Sequence, residues 1–173
     1  PLGLQFSNRR ITLSTAGILP EMTDLLSRRN FVKVAISLNA STDEQRSQLM
    51  PVNRKYPLKD LLSACRKVPL SNRERITFEY VLIGGVNDSE EDAQRLTQLL
   101  KGIRAKINLI AFNEHPGSPF CKPADETVQK FREILLAKGF TAMLRQSKGS
   151  DILAACGQLG GKTIADFGLR NAD

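Results

Sequence analysis

Arg75-Ile-Thr-Phe-Glu-Tyr-Val-Leu-Ile83, then Gly84-Gly85, then Asn87-Asp88-Ser89, and finally Lys106-Ile-Asn-Leu-Ile-Ala-Phe112 decide the fold. The first run is rich in β-branched and aromatic residues, which pack well on a pleated surface, and two glycines end it. Asn87, Asp88 and Ser89 offer capping side chains, and Ser89 with Asp92 three positions on approximates a capping box. The helix opened there spaces Ala93, Leu96, Leu99 and Leu100 along one face. Lys106 through Phe112 is again a strand. A strand, a helix with one apolar face and a second strand make the repeating unit of a parallel sheet.

The same alternation runs outward in both directions. Upstream, Ile11 to Thr15 reads as a short strand that ends at Gly17, and Pro20 opens a helix through about Arg28 with Met22, Leu25 and Leu26 on one face. Phe31 to Leu38 is a second, largely apolar strand. Thr42 is an N-cap candidate for a short helix beginning Asp43-Glu44, and Pro57 begins another with Leu58, Leu61, Leu62, Cys65 and Val68 on one stripe. Downstream, a loop rich in Pro and Gly runs from Asn113 to Pro123. A helix with Val128, Phe131, Ile134 and Leu135 on one face follows and ends at Gly139, and Phe140 to Leu144 is a fifth strand. The tail from Lys148 mixes glycines with one apolar patch, Ile152 to Cys156. This order predicts an α/β fold with parallel strands and right-handed crossovers. Periodicity alone does not separate a doubly wound sheet from an open barrel.

Composition narrows the function classes. The chain has 173 residues, 41% hydrophobic and 25% charged, an ordinary globular balance that argues against wholesale disorder. It falls short of the roughly 250 residues of a (β/α)8 barrel. No apolar run approaches the ~20 residues of a membrane-spanning helix, so no membrane role is expected. The start, Pro1-Leu-Gly-Leu-Gln5, has no secretory pattern and no initiator Met, and it reads as the beginning of a fragment or of a processed chain. Three widely spaced cysteines, Cys65, Cys121 and Cys156, match neither a disulfide framework nor a CxxC metal site, which points to a reducing cytoplasm. A single histidine, His115, excludes a His-rich zinc centre. The net charge of +7 suits a polyanionic partner, but the cations are scattered in pairs such as Arg54-Lys55 and Arg66-Lys67.

In parallel α/β folds, ligands bind beyond the carboxyl ends of the strands. The first strand ends in Ser14-Thr15, the second in Ser37-Leu38-Asn39, and the fourth runs out at Asn113. Small hydroxyl and amide groups there suit a ribose, an amino-acid carboxylate or an adenine edge; the same residue types also cap turns. Cys65 lies on a core stripe. Cys121 is either a reactive thiol beside Lys122 or an incidental loop residue. Cys156, in Ala154-Ala-Cys-Gly-Gln158, is either a packed residue or an accessible nucleophile. Glu79 is a buried acid, a partnered charge or an outward-facing residue.

Six blocks stand together in one order. They are Arg9-Arg-Ile-Thr-Leu-Ser-Thr-Ala-Gly17, Ala35-Ile-Ser-Leu-Asn-Ala40, Met50-Pro-Val-Asn-Arg-Lys-Tyr56, Glu79-Tyr-Val-Leu-Ile83 with Gly85-Val-Asn-Asp88, Ile107-Asn-Leu-Ile110, and Ala154-Ala-Cys-Gly-Gln-Leu159. In order and spacing the chain resembles the carboxyl-terminal part of the dual-specificity radical S-adenosylmethionine methyltransferases, which methylate C2 of adenine in 23S rRNA and tRNA. The resemblance covers residues 1–161 as one unit and leaves 162–173 as an uninformative tail. It implies an open, parallel, partial (β/α)6 radical-SAM barrel lacking its first two strands.

The resemblance implies S-adenosyl-L-methionine contacts at Ser14, Ser37, Leu38, Asn39 and Asn113, where Asn39 replaces the His of some members. It implies that Cys156 carries the methyl group as S-methylcysteine, because adenine C2 is not nucleophilic and a simple transfer cannot work. A 5′-deoxyadenosyl radical from a second S-adenosylmethionine then activates that methyl, and a second cysteine resolves the adduct. The family's CxxxCxxC motif for a 4Fe-4S cluster, its Gly-Glu-Pro segment and its resolving cysteine are expected upstream of this chain, so none of the three cysteines here is a metal ligand. A reductant protein of flavodoxin or ferredoxin type is implied, as is inactivity of the fragment alone. Competing expectations are the related C8-methylating rRNA enzyme, a cluster-free RNA-binding module, and an enzyme using Cys156 as an ordinary nucleophile.

Overall fold

A computed structural model describes residues 10–27, 32–72, 74–115 and 117–145 of the chain. In order, these form β1 (Thr12–Thr15), α1 (Leu19–Ser27), β2 (Lys33–Ser37), α2 (Asp43–Leu49), a 3-10 turn (Pro51–Arg54), α3 (Leu58–Arg66), β3 (Ile76–Leu82), α4 (Glu90–Leu99), β4 (Ala105–Ala111), α5 (Asp125–Ala137) and β5 (Thr141–Arg145). Each expected strand and helix is present within a residue or two of its expected ends. The 3-10 turn was not foreseen.

The five strands form one sheet in the order β1-β2-β3-β4-β5, and every pairing is parallel. A doubly wound sheet reverses strand order at a switch point. No reversal occurs here, so the sheet winds one way, as in an open barrel. Five strands are one more than a six-stranded barrel lacking its first two would leave.

Alternation within the strands explains the layering. Val34, Ile36, Ile76, Phe78, Tyr80, Leu82, Ile107 and Leu109 join Met22 and Leu26 of α1, Leu61 and Leu62 of α3, Leu96 of α4, and Phe131 and Leu135 of α5 in one apolar cluster. Side chains on a strand alternate between faces, so the intervening residues lie on the side these helices leave open. Register sets them side by side: Ser14, Ala35, Thr77, Lys106 and Thr141 in one row, and Ser37, Glu79, Asn108 and Met143 in the next. One face is therefore hydrocarbon and the other largely polar. The outer strands are the wetter ones, with Leu13 of β1 and Met143 of β5 exposed.

The expected caps are formed. The Thr42 hydroxyl accepts from Gln45 N–H at the start of α2, and Ser89 with Asp92 makes a complete capping box on α4. Cys65 is buried on α3 as expected, and burial pushes its thiol up to about 12. Cys121 is exposed. Cys156 and the tail lie outside the described residues.

Candidate functional site

The polar face and the carboxyl ends of the strands meet around Glu79. Its side chain is 16% exposed, and it links strands that are not neighbours. The Ser14 hydroxyl of β1 donates to Glu79 Oε2 at 3.2 Å, across β2. Arg145 Nη1 of β5 lies 3.9 Å from Glu79 Oε1. Ser37 is in register beside Glu79 on one side, and Asn108 is beside it on the other. Glu79 is thus a partnered charge on the open face. Asn108 differs from its neighbours: its Oδ1 is buried with no hydrogen-bond partner, an arrangement that costs about 1–3 kcal/mol.

The end of β2 is stitched rather than simply stopped. Leu38 N–H donates to Glu79 O at 2.9 Å. Asn39 then turns into the left-handed region at φ 58, a conformation Asn tolerates better than most residues. Its side chain continues the ladder, with Oδ1 accepting from Val81 N–H at 3.0 Å and Nδ2 facing Met50 Sδ at 3.4 Å. Asn87 completes the seam. Its Nδ2 donates to Asn39 O and to Val81 O, both at 2.8 Å, and its Oδ1 accepts from Ile83 N–H at 2.7 Å.

Behind these ends lies a buried cation. Arg46 of α2 has no exposed surface. Its Nε donates to Leu38 O at 3.2 Å, its Nη2 to Ala16 O at 2.8 Å and Ser37 O at 3.3 Å, and its Nη1 to Asn53 Oδ1 at 3.0 Å. One guanidinium therefore closes the carboxyl ends of both β1 and β2. Burial lowers its pKa, against the raising effect of Asp43. Gly17 makes room for the same clamp: a Cβ there would lie 2.9 Å from Leu61 Cδ1 and 3.5 Å from Arg46 Nη2.

A second buried charge, Asp92, joins α2 to α4. Its Oδ1 accepts from Ser41 Oγ at 2.5 Å, Gln45 Nε2 at 3.0 Å and Arg95 Nη2 at 2.7 Å, and its Oδ2 from Ser89 Oγ at 2.6 Å. Burial alone would raise its pKa, but these hydrogen bonds outweigh it and hold the carboxyl below its ordinary value.

The structure places the expected residues unequally. Ser14 and Ser37 lie on the polar face on either side of one strand interface, and Asn39 lies at its rim. Leu38 has its side chain fully buried in the apolar cluster, and both of its backbone groups are engaged. Asn113 lies two residues past β4, half-buried, on the loop whose Phe112 N–H donates to Leu82 O at 2.9 Å. That loop folds back on the end of β3, where Gly84 N–H donates to Cys121 O at 2.9 Å. Arg46, Asn53 and Asp92 were missed as site-forming residues. Helix α2 is polar almost throughout, so no pattern marks the one residue it buries. Among the described residues, no group of His, Cys, Asp or Glu is arranged to hold a metal ion, and no helix is long and apolar enough to cross a membrane.

Residues 3–97 match the Radical SAM superfamily. The chain is 58% identical over 163 residues to a protein of Geobacter sulfurreducens named dual-specificity RNA methyltransferase RlmN, covering 94% of this chain and 45% of that protein. A protein of the same name from Syntrophus aciditrophicus is 57% identical over 164 residues, covering 95% of this chain and 47% of that one. The chain thus spans about half the length of the curated relatives it matches. The crystal structure of a radical SAM methyltransferase from Sphaerobacter thermophilus superposes with a TM-score of 0.85 at 47% identity, over 90% of this chain and 46% of that one. A domain of a pyruvate-formate lyase-activating enzyme from Bacteroides vulgatus shares the fold, with a TM-score of 0.60 at 20% identity over 78% of this chain and 80% of that one.

Proposed function

The chain belongs to the radical SAM superfamily, and from that premise we propose that it forms the cofactor-holding half of an RNA methyltransferase acting on adenine C2 in 23S rRNA and tRNA. The observation that carries this reading is the polar patch of Ser37, Glu79 and Asn108 in one row, with Ser14 of the row beside it hydrogen-bonded to Glu79, on the face that the described helices leave open.

The residues present fit S-adenosylmethionine. Ribose hydroxyls and an amino-acid head group need both donors and acceptors, and the row supplies hydroxyls, a carboxylate and an amide whose Oδ1 still lacks a donor. S-adenosylmethionine, when bound, supplies the methyl group and, on reductive cleavage, the radical that activates it. The chain's own share is to bind and orient. Ser14 donates its hydroxyl hydrogen bond to Glu79, which leaves the Ser14 oxygen lone pairs for a ligand donor. Ser37 at the end of β2, Asn39 just past it and Asn113 past β4 offer further polar contacts. Leu38 backs that surface from the core, and Arg46 holds its strand ends in place.

Cys156 would act as the nucleophile: its thiolate would take the methyl of one S-adenosylmethionine, with S-adenosylhomocysteine leaving. After loss of a hydrogen atom to the radical derived from a second, the S-bound carbon would bond adenine C2 and the C2 proton would leave. The resolving cysteine would break the carbon–sulfur bond by forming a disulfide with Cys156. The described residues do not fit a 4Fe-4S cluster, so its ligands are assigned to the part of the full-length protein this chain does not span. A flavodoxin- or ferredoxin-type protein would deliver the electron. Residues 1–161 would act as one unit, in the cytoplasm.

The test is methylation of 23S rRNA fragments and tRNA by the intact protein, with nucleoside mass spectrometry to locate the carbon. C2-methyladenosine is expected, and it should disappear in Cys156→Ala while S-adenosylmethionine affinity is kept. Methylation at C8, or undiminished product from Cys156→Ala, would overturn the reading.

A further inference from the structure

Residues 50–56 form a lip over the carboxyl ends of β1 and β2, and its cations are held outward by buried hydrogen bonds. Pro51–Arg54 is the 3-10 turn, and Asn53 within it is buried. Asn53 is anchored on both sides of its amide. Oδ1 accepts from Arg46, and Nδ2 donates to Asp43 O at 3.1 Å, Asp43 Oδ1 at 3.0 Å and Ser47 Oγ at 2.9 Å. The Asp43 carboxylate also accepts from Leu58 N–H at 2.9 Å, so this acid of α2 is turned toward its own scaffold. Met50 touches Asn39 at the end of β2. The same buried guanidinium that fixes the candidate site therefore fixes this lip.

On that base, the exposed charged residues of the lip are basic. Arg54, Lys55 and Lys59 are exposed. None of the three makes an ion pair among the described residues. Lys55 Nζ lies 5.4 Å from the centroid of the half-buried Tyr56 ring. The turn that carries them is ordered from beneath, through Asn53 and Arg46.

We propose that this lip grips the phosphodiester backbone of the RNA next to the nucleotide being modified, with Arg54 and Lys55 as the phosphate contacts and Lys59 flanking them. Such contacts fix register and orientation without reading sequence, which is what a site serving two different RNAs requires. The inference rests on the RNA reading of the preceding subsection.

A second basic surface gives the control. At the opposite, amino-terminal end of the sheet, Arg75, Lys101, Arg104 and Lys138 line an open cavity of about 450 Å³. The strand β4 between the two ends is seven residues long, which separates them by roughly 20 Å.

The experiment measures binding of a fluorescein-labelled RNA hairpin to the intact protein across a salt series. Arg54→Gln/Lys55→Gln is compared with Lys101→Gln/Lys138→Gln and with the parent. The lip variant should bind about tenfold more weakly near physiological salt, and its log–log salt slope should be shallower by between about 1 and 2. Its S-adenosylmethionine affinity and unfolding midpoint should be unchanged. An unaltered slope and affinity in the lip variant would overturn the proposal, as would a loss confined to the Lys101/Lys138 variant. Failure of the parent to bind RNA even at low salt would instead remove the RNA reading, and this inference with it.

Discussion

Replacing Arg46 should loosen both the fold and the candidate site. Arg46→Met keeps the length of the side chain and removes its donors. Four acceptors then lose a partner: Ala16 O, Ser37 O, Leu38 O and Asn53 Oδ1. Hydrogen bonds from a charged donor contribute about 1.5–3 kcal/mol each, and a buried acceptor left unpaired costs about 1–3 kcal/mol. Against this stands the cost of holding a cation with no exposed surface, which the methionine avoids. The balance is a loss of about 3–5 kcal/mol, a large share of the 5–15 kcal/mol typical of a domain. Urea unfolding gives the number, provided m is the same in parent and variant. Arg46→Lys should recover only part of it, because an ammonium cannot span four acceptors as a planar fork does. S-adenosylmethionine affinity of the intact protein should fall in parallel, since Ser14 and Ser37 lie on the strands the clamp closes. If Arg46→Met lies within about 1 kcal/mol of the parent, the clamp is not what holds these ends.

Three further outcomes follow from the buried polar groups. Asp92 has a depressed folded pKa, so its stabilisation is present above the unfolded value near 4 and is lost as pH falls through the folded value; Asp92→Asn should cost about 2 kcal/mol at pH 7 and flatten the acid limb of a stability–pH curve. A variant whose stability falls with acid as steeply as the parent's would contradict this. Asn108→Leu should stabilise by about 1 kcal/mol, because it removes an unpaired buried acceptor, and should weaken S-adenosylmethionine binding; a lower unfolding midpoint would show that the Oδ1 has a partner in the folded protein. Among the described cysteines, alkylation at pH 8 followed by peptide mass spectrometry should label Cys121 well before Cys65, whose thiol is buried with a pKa pushed to about 12. Equal rates would mean that α3 opens readily.

Local periodicity carried most of the fold. The stripe Leu58, Leu61, Leu62 and Cys65, the Ser89–Asp92 box and the alternation in Ile76–Leu82 depend on neighbours a few residues away, so they could be read from the chain. Strand order could not, because it depends on which strands meet and not on what each contains. The candidate site divides in the same way. Ser14 and Ser37 could be picked out as strand-end hydroxyls. That Glu79 would tie Ser14 across an intervening strand required the register. Leu38 shares a strand end with Ser37 and Asn39, but alternation sends its side chain to the opposite face. Asn39 reads from the sequence as a ligand contact, and the structure shows it as a seam between β2 and β3, through a left-handed backbone that no side-chain pattern announces.

The unbroken order of the sheet also bears on how the chain finds it. Each strand pairs with the strand adjacent to it in sequence, so three of the four crossovers close a loop only as long as one helix and its turns, and the one from β2 to β3 carries α2, the 3-10 turn and α3. Loop-closure entropy must be met before a parallel pair gains its contacts, and short closures keep that barrier low. The longest register, seven paired residues between β3 and β4, encloses α4 and its side-chain-capped start, which makes this unit the natural place for the sheet to begin. From there it can grow one strand at a time in both directions. A reversed order would have to leave a gap at its switch point and fill it later from a distant part of the chain.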